Sequence, residues 1–335
     1  MDFFLSFTVL KKVNMLNLTR LRLPAFMTFG WAMFFILPDT VATERMRWKM
    51  EAGDQFAVEF SHSTKLLSDG VEIPHDTKLW VTWTVDRVGK DGIFHLTQTI
   101  DRIAVMIGLP GRDKLNYDSS NYDSSNGEEA EGLLQTVSTM MQPLVGVKLR
   151  QQMNDRGKIL ELTVSEKTVA GIQTNPLIKR MLPNDSVKNV CSGIFPEFPE
   201  AVLNEGDHWS TDEESRSPLG NMILSTTFIY RGRKTLDGRQ LNRLEVSTDV
   251  TLLKDPQAAP GTNLDLREQE STGTIHFDNQ TGYLVDLYIQ RKMTIDLVVF
   301  GQPVTQKIET TQQLTMQPDK AEGSLIDIRT DGISN

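Results

Sequence analysis

Cysteine is nearly absent: Cys191 is the only one in 335 residues. No intramolecular disulfide can form, and a cysteine-paired metal site is excluded. Positive charge is also scarce, with a net charge of −9 and no Lys/Arg run. An acidic body repels phosphate backbones, which argues against a nucleic-acid partner. The sequence lacks H-x-x-x-H and H-E-x-x-H pairs, a G-x-S-x-G elbow, G-x-G-x-x-G and a P-loop. Those gaps remove the usual cues for zinc, serine-hydrolase, dinucleotide and nucleotide chemistry, so no cofactor is expected. What remains is ordinary globular composition, 39% hydrophobic and 24% charged.

The N-terminus carries the clearest address. Lys11, Lys12, Arg20 and Arg22 precede an uncharged, mostly apolar run over 23–37, which Pro38 breaks. Positive charge, apolar run and small-residue exit make a secretory signal, with cleavage expected after Ala42. The run is shorter than the roughly 20 residues that span a bilayer. The alternative is an uncleaved membrane anchor over the same 1–42, with residues 23–37 as the only membrane contact. Met1 and Met15 are both possible starts, and no cysteine follows the run to take a lipid.

Beyond Glu44 the dominant period is two. Leu79, Val81, Trp83 and Val85 alternate with Trp80, Thr82, Thr84 and Asp86, which predicts a strand with one buried face. Hairpins are expected at Gly89–Gly92, Asn154–Gly157, Thr235–Gly238 and Asp278–Gly282, and a further turn at Gly301–Pro303. Three features recur in the same order: Gly53-Asp54 and Gly206-Asp207, Asp91-Gly92 and Asp237-Gly238, then the turns at 155–157 and 278–282. That order reads as an internal duplication. The predicted fold is α+β, mainly antiparallel β, with two related sheet units under helical cover.

The expected parts are a first β-rich half over 43–165, a helical and proline-rich connector over 166–204, a second half over 205–320 and a disordered tail over 321–335. Within the first half, the polar tract 109–126 predicts a mobile loop. A helix is expected over 128–147, from early glutamates and the stripe of Leu133, Leu134, Val137, Met140, Met141 and Leu144. Phe195-Pro196-Glu197-Phe198-Pro199 predicts an extended strap, because proline stops helices and ladders alike.

Candidate chemistry is sparse. The histidines are His62, His75, His95, His208 and His276, and strand positions suit them to structural hydrogen bonds. A hydrolase with dispersed catalytic residues requires His95, His276 or His208 to converge with carboxylates in one cleft. Trp83 is assigned to the core and Trp80 to the opposite face, which is either covered by a helix such as that over 128–147, the favoured reading, or exposed as a binding surface. Trp80, Trp83, Met140 and Met141 are the candidate ligand-binding residues.

The chain resembles a family of exported planctomycete-type bacterial proteins of unknown function. The resemblance runs over 48–316. It is carried by the turns at Asp91-Gly92 and 155–157, by Phe198-Pro199-Glu200 leading to Gly206-Asp207-His208-Trp209, and by Gly273-Thr274-Ile275-His276-Phe277-Asp278. It supplies no catalytic residues. More loosely, the architecture is similar to periplasmic lipoprotein carriers, whose sheets wrap an apolar cavity. The functional expectation is a non-catalytic exported envelope protein that binds an apolar ligand, such as a lipid, or a protein partner. A membrane-anchored scaffold is the further alternative.

Overall fold

Phe56, Val58 and Phe60 are buried, while Gln55 and Ala57, which alternate with them, are exposed. A strand sends successive side chains to opposite faces, so this alternation buries one face only. The same rule builds nearly the whole molecule. The computed structural model describes residues 44–68, 70–111, 113–121, 131–164, 195–217, 220–253, 264–299 and 302–318. The first strands are β1 (Gln55–Ser68), β2 (Val71–Val88), β3 (Phe94–Ile107) and β4 (Leu115–Asp118). Helix α1 (Glu131–Met141) follows, then β5 (Lys148–Met153) and β6 (Ile159–Val164). The second series is β7 (His208–Ser217), β8 (Gly220–Leu236), β9 (Arg239–Leu252), β10 (Leu264–Asp278), β11 (Tyr283–Val299) and β12 (Gln302–Pro318).

These strands form one antiparallel sheet in the order β6-β5-β3-β2-β1-β12-β11-β10-β9-β8-β7, with β4 added to β3. The fold is mainly antiparallel β, as the alternation predicts. The two expected sheet units are continuous with each other. Thirteen register pairs between β1 and β12, from Phe56↔Pro318 to Ser68↔Gln306, join the first strand of the described residues to the last.

The hairpins predicted at 89–92, 154–157, 235–238 and 278–282 connect β2/β3, β5/β6, β8/β9 and β10/β11. The turns ahead of β1 and β7 share one hydrogen-bond pattern. Gly53 N–H donates to Val85 O, Val85 N–H to Asp54 O, and Glu51 N–H to Asp54 Oδ2. In the second series Gly206 N–H donates to Tyr230 O, Tyr230 N–H to Asp207 O, and Asn204 N–H to Asp207 Oδ2.

Two extended segments, 44–50 and 195–203, close one end of the inner face, here called the base. Trp48 N–H donates to Asp155 O at 2.8 Å and Lys49 N–H to Gly282 O at 2.9 Å, so the first segment runs between the β5/β6 and β10/β11 turns. The Trp48 ring, 1% exposed, meets Phe195, Phe198 and Phe277 at centroid distances of 5.8, 6.4 and 5.4 Å. Phe195 in turn packs on Trp83 at 4.5 Å. Asn279 is buried and ties the segment down: it accepts from Arg47 N–H and donates to Glu44 Oε1 and Arg45 O. Burial raises the Glu44 carboxyl's pKa, but hydrogen bonds from Arg233 and Asn279 and the Arg233 charge outweigh it, leaving a net depression.

Three expectations need correction. Part of the tract 109–126 is ordered strand. Leu115 and Tyr117 alternate inward, and Asp118 receives the Arg102 guanidinium, so β4 has both an apolar face and an anchor. The helix is shorter than 128–147: α1 ends at Met141 and a 3-10 turn at Gln142–Leu144 follows, with Pro143 near its start. It also packs on the inner face, where Val137, Leu134 and Met141 meet Ile103, Val105 and Leu79; Trp80 lies on the other side. The signal segment 1–42, the helical stretches expected over 175–190, Cys191 and the tail over 321–335 lie outside the described residues.

Gly282 and Gly238 separate two reasons for glycine. Both have positive φ, +78° and +76°, but a Cβ on Gly282 would lie 2.4 Å from Lys49 N, while one on Gly238 meets nothing within 4 Å. Gly238→Ala is expected to cost about 1 kcal/mol, from backbone strain alone. Gly282→Ala is expected to cost about 2 kcal/mol more, because the segment over 44–50 must shift. Urea midpoints of the two variants measure the difference; equal values would mean that the segment gives way freely.

Candidate functional site

Register fixes which side chains share the inner face. Moving away from the base, the row Ile275–Leu287–Leu314–Phe60–Leu79 crosses β10, β11, β12, β1 and β2, and it is apolar. The next row is Gly273–Ile289–Gln312–His62–Thr77. Beyond it lies Ser271–Arg291–Thr310–Thr64–His75. Met293–Ile308–Leu66–Ile73 then restores apolar character, and each of the four is partly buried. Two polar rows therefore cross an otherwise apolar face.

Within these rows most polar groups are paired. His62 Nε2 lies 3.0 Å from Thr64 Oγ1 and its Nδ1 3.3 Å from Gln312 Nε2, while its ring stacks on Phe60. Burial, His75 and Arg291 lower the His62 pKa and Asp76 opposes them; the net shift is downward, so the imidazole is neutral at pH 7. Arg291 differs. Its Nε is shut off from solvent and has no hydrogen-bond partner, and no ion pair joins its guanidinium to any described residue. Burial alone lowers its pKa. The Ser271 hydroxyl, across the strand pair from Arg291, is likewise buried without a partner.

The sheet also parts near this belt. β9 and β10 pair only over Asn242–Val246 and Gly273–Phe277. Beyond that stretch the Gln269 side-chain amide accepts from Val250 N–H at 2.7 Å and donates to Val250 O at 3.1 Å. A side chain stands in for a peptide group and satisfies backbone polar atoms the ladder leaves open.

The outer face is charged and internally matched. Trp80 lies there, not with the other candidates. Its Nε1 donates to Glu59 at 3.1 Å, and Lys78 and Arg102 approach its ring centre to 5.0 and 4.2 Å. Lys78 also pairs with Glu59 at 2.5 Å. Trp83, 2% exposed, is inside the base core. Met141 packs under α1 against the β3–β4 cluster, and Met140 is partly exposed on the same helix. The four candidates are thus distributed over two faces and three environments. Arg291, Ser271 and Gln312 were not singled out; the available signal was a charge interrupting the alternation Leu287, Ile289, Arg291, Met293, Ile295.

The three histidines of the hydrolase alternative do not converge. His95 is on β3, His276 on β10 and His208 on β7. β3 and β10 are five strands apart in the sheet order, about 24 Å along it. His95 borders an outer-face cleft of about 310 Å³ with Asp86, Arg150 and Glu161, where Asp86 accepts from Thr97 and Glu161 from Gln152. His276 Nδ1 lies 2.8 Å from Asp286. Among the described residues no cluster of His, Cys, Asp and Glu could hold a metal ion, and no helix is long and apolar enough to cross a membrane.

No family model and no curated protein matches the chain. Among solved structures, lipovitellin, solved for its lipid–protein interactions, is similar at a TM-score of 0.45 and 11% identity, covering 82% of this chain and 26% of its own. The chain thus spans about a quarter of lipovitellin's length. An outer membrane channel from Pseudomonas putida matches at a TM-score of 0.21 and 8% identity, over 81% of this chain and 97% of its own. A DUF1329 family protein from Desulfovibrio piger matches at 0.17 and 8%, over 81% and 88%. Likeness at these scores carries no argument about activity. None of these matches supports the planctomycete-type resemblance.

The Trp80 cluster makes a pH prediction. Hydrogen bonds from Arg102 hold the Asp118 carboxyl down at about 2 against an ordinary 3.8, with burial opposing. A depressed carboxylate stabilises the fold fully above its unfolded pKa, and that stabilisation disappears as pH falls through the folded value. Partial exposure limits it to about 1 kcal/mol. The stability gap between wild type and Asp118→Asn is therefore expected at about pH 5 and gone below about pH 2. Urea melts at both pH values check this; a gap independent of pH would remove the ion pair as its source.

Proposed function

We propose that the protein is exported to the cell envelope and holds an apolar ligand on the inner face of its sheet, without chemistry on it. The carrying observation is the half-buried row Met293–Ile308–Leu66–Ile73, apolar across four strands and lying beyond the sealed base. Half-buried apolar surface is where small hydrophobic molecules gain from leaving water. The signal-like residues 1–42 support export, with cleavage after Ala42 or retention as an anchor. The shared hydrogen-bond pattern at Gly53 and Gly206 supports descent of the two β series from one unit. In this reading Met141 and α1 wall one side of the ligand space, and Trp83, below the closed Phe60–Leu79 row, belongs to the sealed base. Trp80, on the outer face, has no part in it.

The test is native mass spectrometry of protein recovered from its own envelope, then organic extraction. A stoichiometric small apolar molecule is expected with wild type and with Trp80→Gln, and is expected to be lost in Ile308→Asp with its circular dichroism intact. A clean protein in every case would sink the ligand reading and point to a protein partner on the same face.

A further inference from the structure

We infer that the ligand is an amphiphile with one negative charge, a long-chain carboxylate, whose head pairs with Arg291. The inference rests on the inner-face reading above and names the ligand class for it. An arginine can make five hydrogen bonds and stays charged, so a buried guanidinium without a partner is costly. Arg291 meets that condition in part: the residue is half-buried, with Nε enclosed and unpaired. The Ser271 hydroxyl beside it is also buried and unpaired, and Thr310 adjoins it across the β11–β12 pair. One cation flanked by hydroxyls matches one carboxylate, whose oxygens accept the guanidinium fork and further O–H donors. His62, close by, is held neutral and adds no second positive charge, which disfavours a doubly charged phosphate.

The neighbouring surface suits the tail. From Arg291 the inner face of β11 continues through half-buried Met293, buried Ile295 and half-buried Leu297, with half-buried Ile308 and Leu66 alongside. Six residues of strand extend about 20 Å, the reach of a long acyl chain. On the base side the way is closed by Leu287, Leu314 and Phe60, all buried. The charge therefore lies at the inner end of an apolar strip, and a carboxylate-first orientation follows.

Displacement of a bound lipophilic fluorophore reads this directly, with oleate, oleyl alcohol and lysophosphatidylglycerol as competitors. For Arg291→Met, oleate is expected to weaken about tenfold to a hundredfold, the range for a charge-assisted hydrogen-bonded pair, while oleyl alcohol is unchanged. Arg291→Lys keeps the charge and is expected to recover part of the loss. A second readout uses stability: without ligand, Arg291→Met should melt no lower than wild type, since it removes an unpaired charge, and oleate should raise the wild-type midpoint only.

Equal oleate binding by wild type and Arg291→Met, with the fluorophore still bound, overturns the head-group assignment and leaves the apolar-ligand reading standing. Selective loss of lysophosphatidylglycerol instead overturns the carboxylate in favour of a phosphodiester. A marked drop in ligand-free stability on Arg291→Met overturns the inference as well, because it means the guanidinium is paired within the chain. Failure of wild type to bind the fluorophore or any competitor sinks both readings.

Discussion

Threading of residues 44–50 between the β5/β6 and β10/β11 turns is the constraint on which the rest depends. A sheet this wide has one face to bury and only α1, among the described residues, as helical cover. The extended N-terminal segment and the strap over 195–203 supply the missing layer at the base. Trp48 fills the middle of it, flanked by Phe195, Phe198 and Phe277. Because the segment's own backbone N–H groups bond to Asp155 and Gly282, burying it leaves those donors satisfied. Its hydrogen bonds reach turns from both β series, so the same few residues fix the halves of the sheet against each other.

Sealing the base has a second effect on the inner face. Apolar side chains there pack to completion, while the row Met293–Ile308–Leu66–Ile73 beyond the polar rows stays half-buried. The polar rows mark the boundary. Most of their groups are matched along or across strands, as His62 is by Thr64 and Gln312. Arg291 and Ser271 are the exceptions, and they adjoin each other. Two other buried polar atoms without partners, Trp48 Nε1 and His276 Nε2, lie apart from this pair, which alone adjoins the half-buried apolar strip. The outer face shows the opposite arrangement, with Trp80, Glu59, Lys78, Arg102 and Asp118 satisfying one another.

Strand content and hairpin positions were legible because period two and turn chemistry are local properties. Gly89–Gly92 and Asp278–Gly282 sit where their residues predict, and the Trp83 side of β2 is the buried side. What was not legible depends on distant pairing. β4 reads as a polar tract until β3 is placed beside it, with Arg102 to receive Asp118. The face covered by α1 depends on the bulge between Ile100 and Arg102, which switches the inward residues of β3 from even to odd numbers. Arg291 becomes conspicuous only once its row is known, since a lone arginine in a strand ordinarily faces solvent. Trp80 was separable from Trp83 by parity, but its charged surroundings come from three different strands.

The order in which these contacts can form follows from the same threading. Arg47 meets Asn279 across 232 residues of chain, and His62 meets Gln312 across 250. Closing such loops is slow, and folding rates fall as contacts become less local. Residues 44–50 are synthesised long before the turns that lock them, and β1 has only β2 beside it until β12 arrives. An unpaired strand edge is a template for pairing with another chain. For a protein built this way, the hazard lies in the interval before closure: the arrival of β12 decides how long β1 stays sticky.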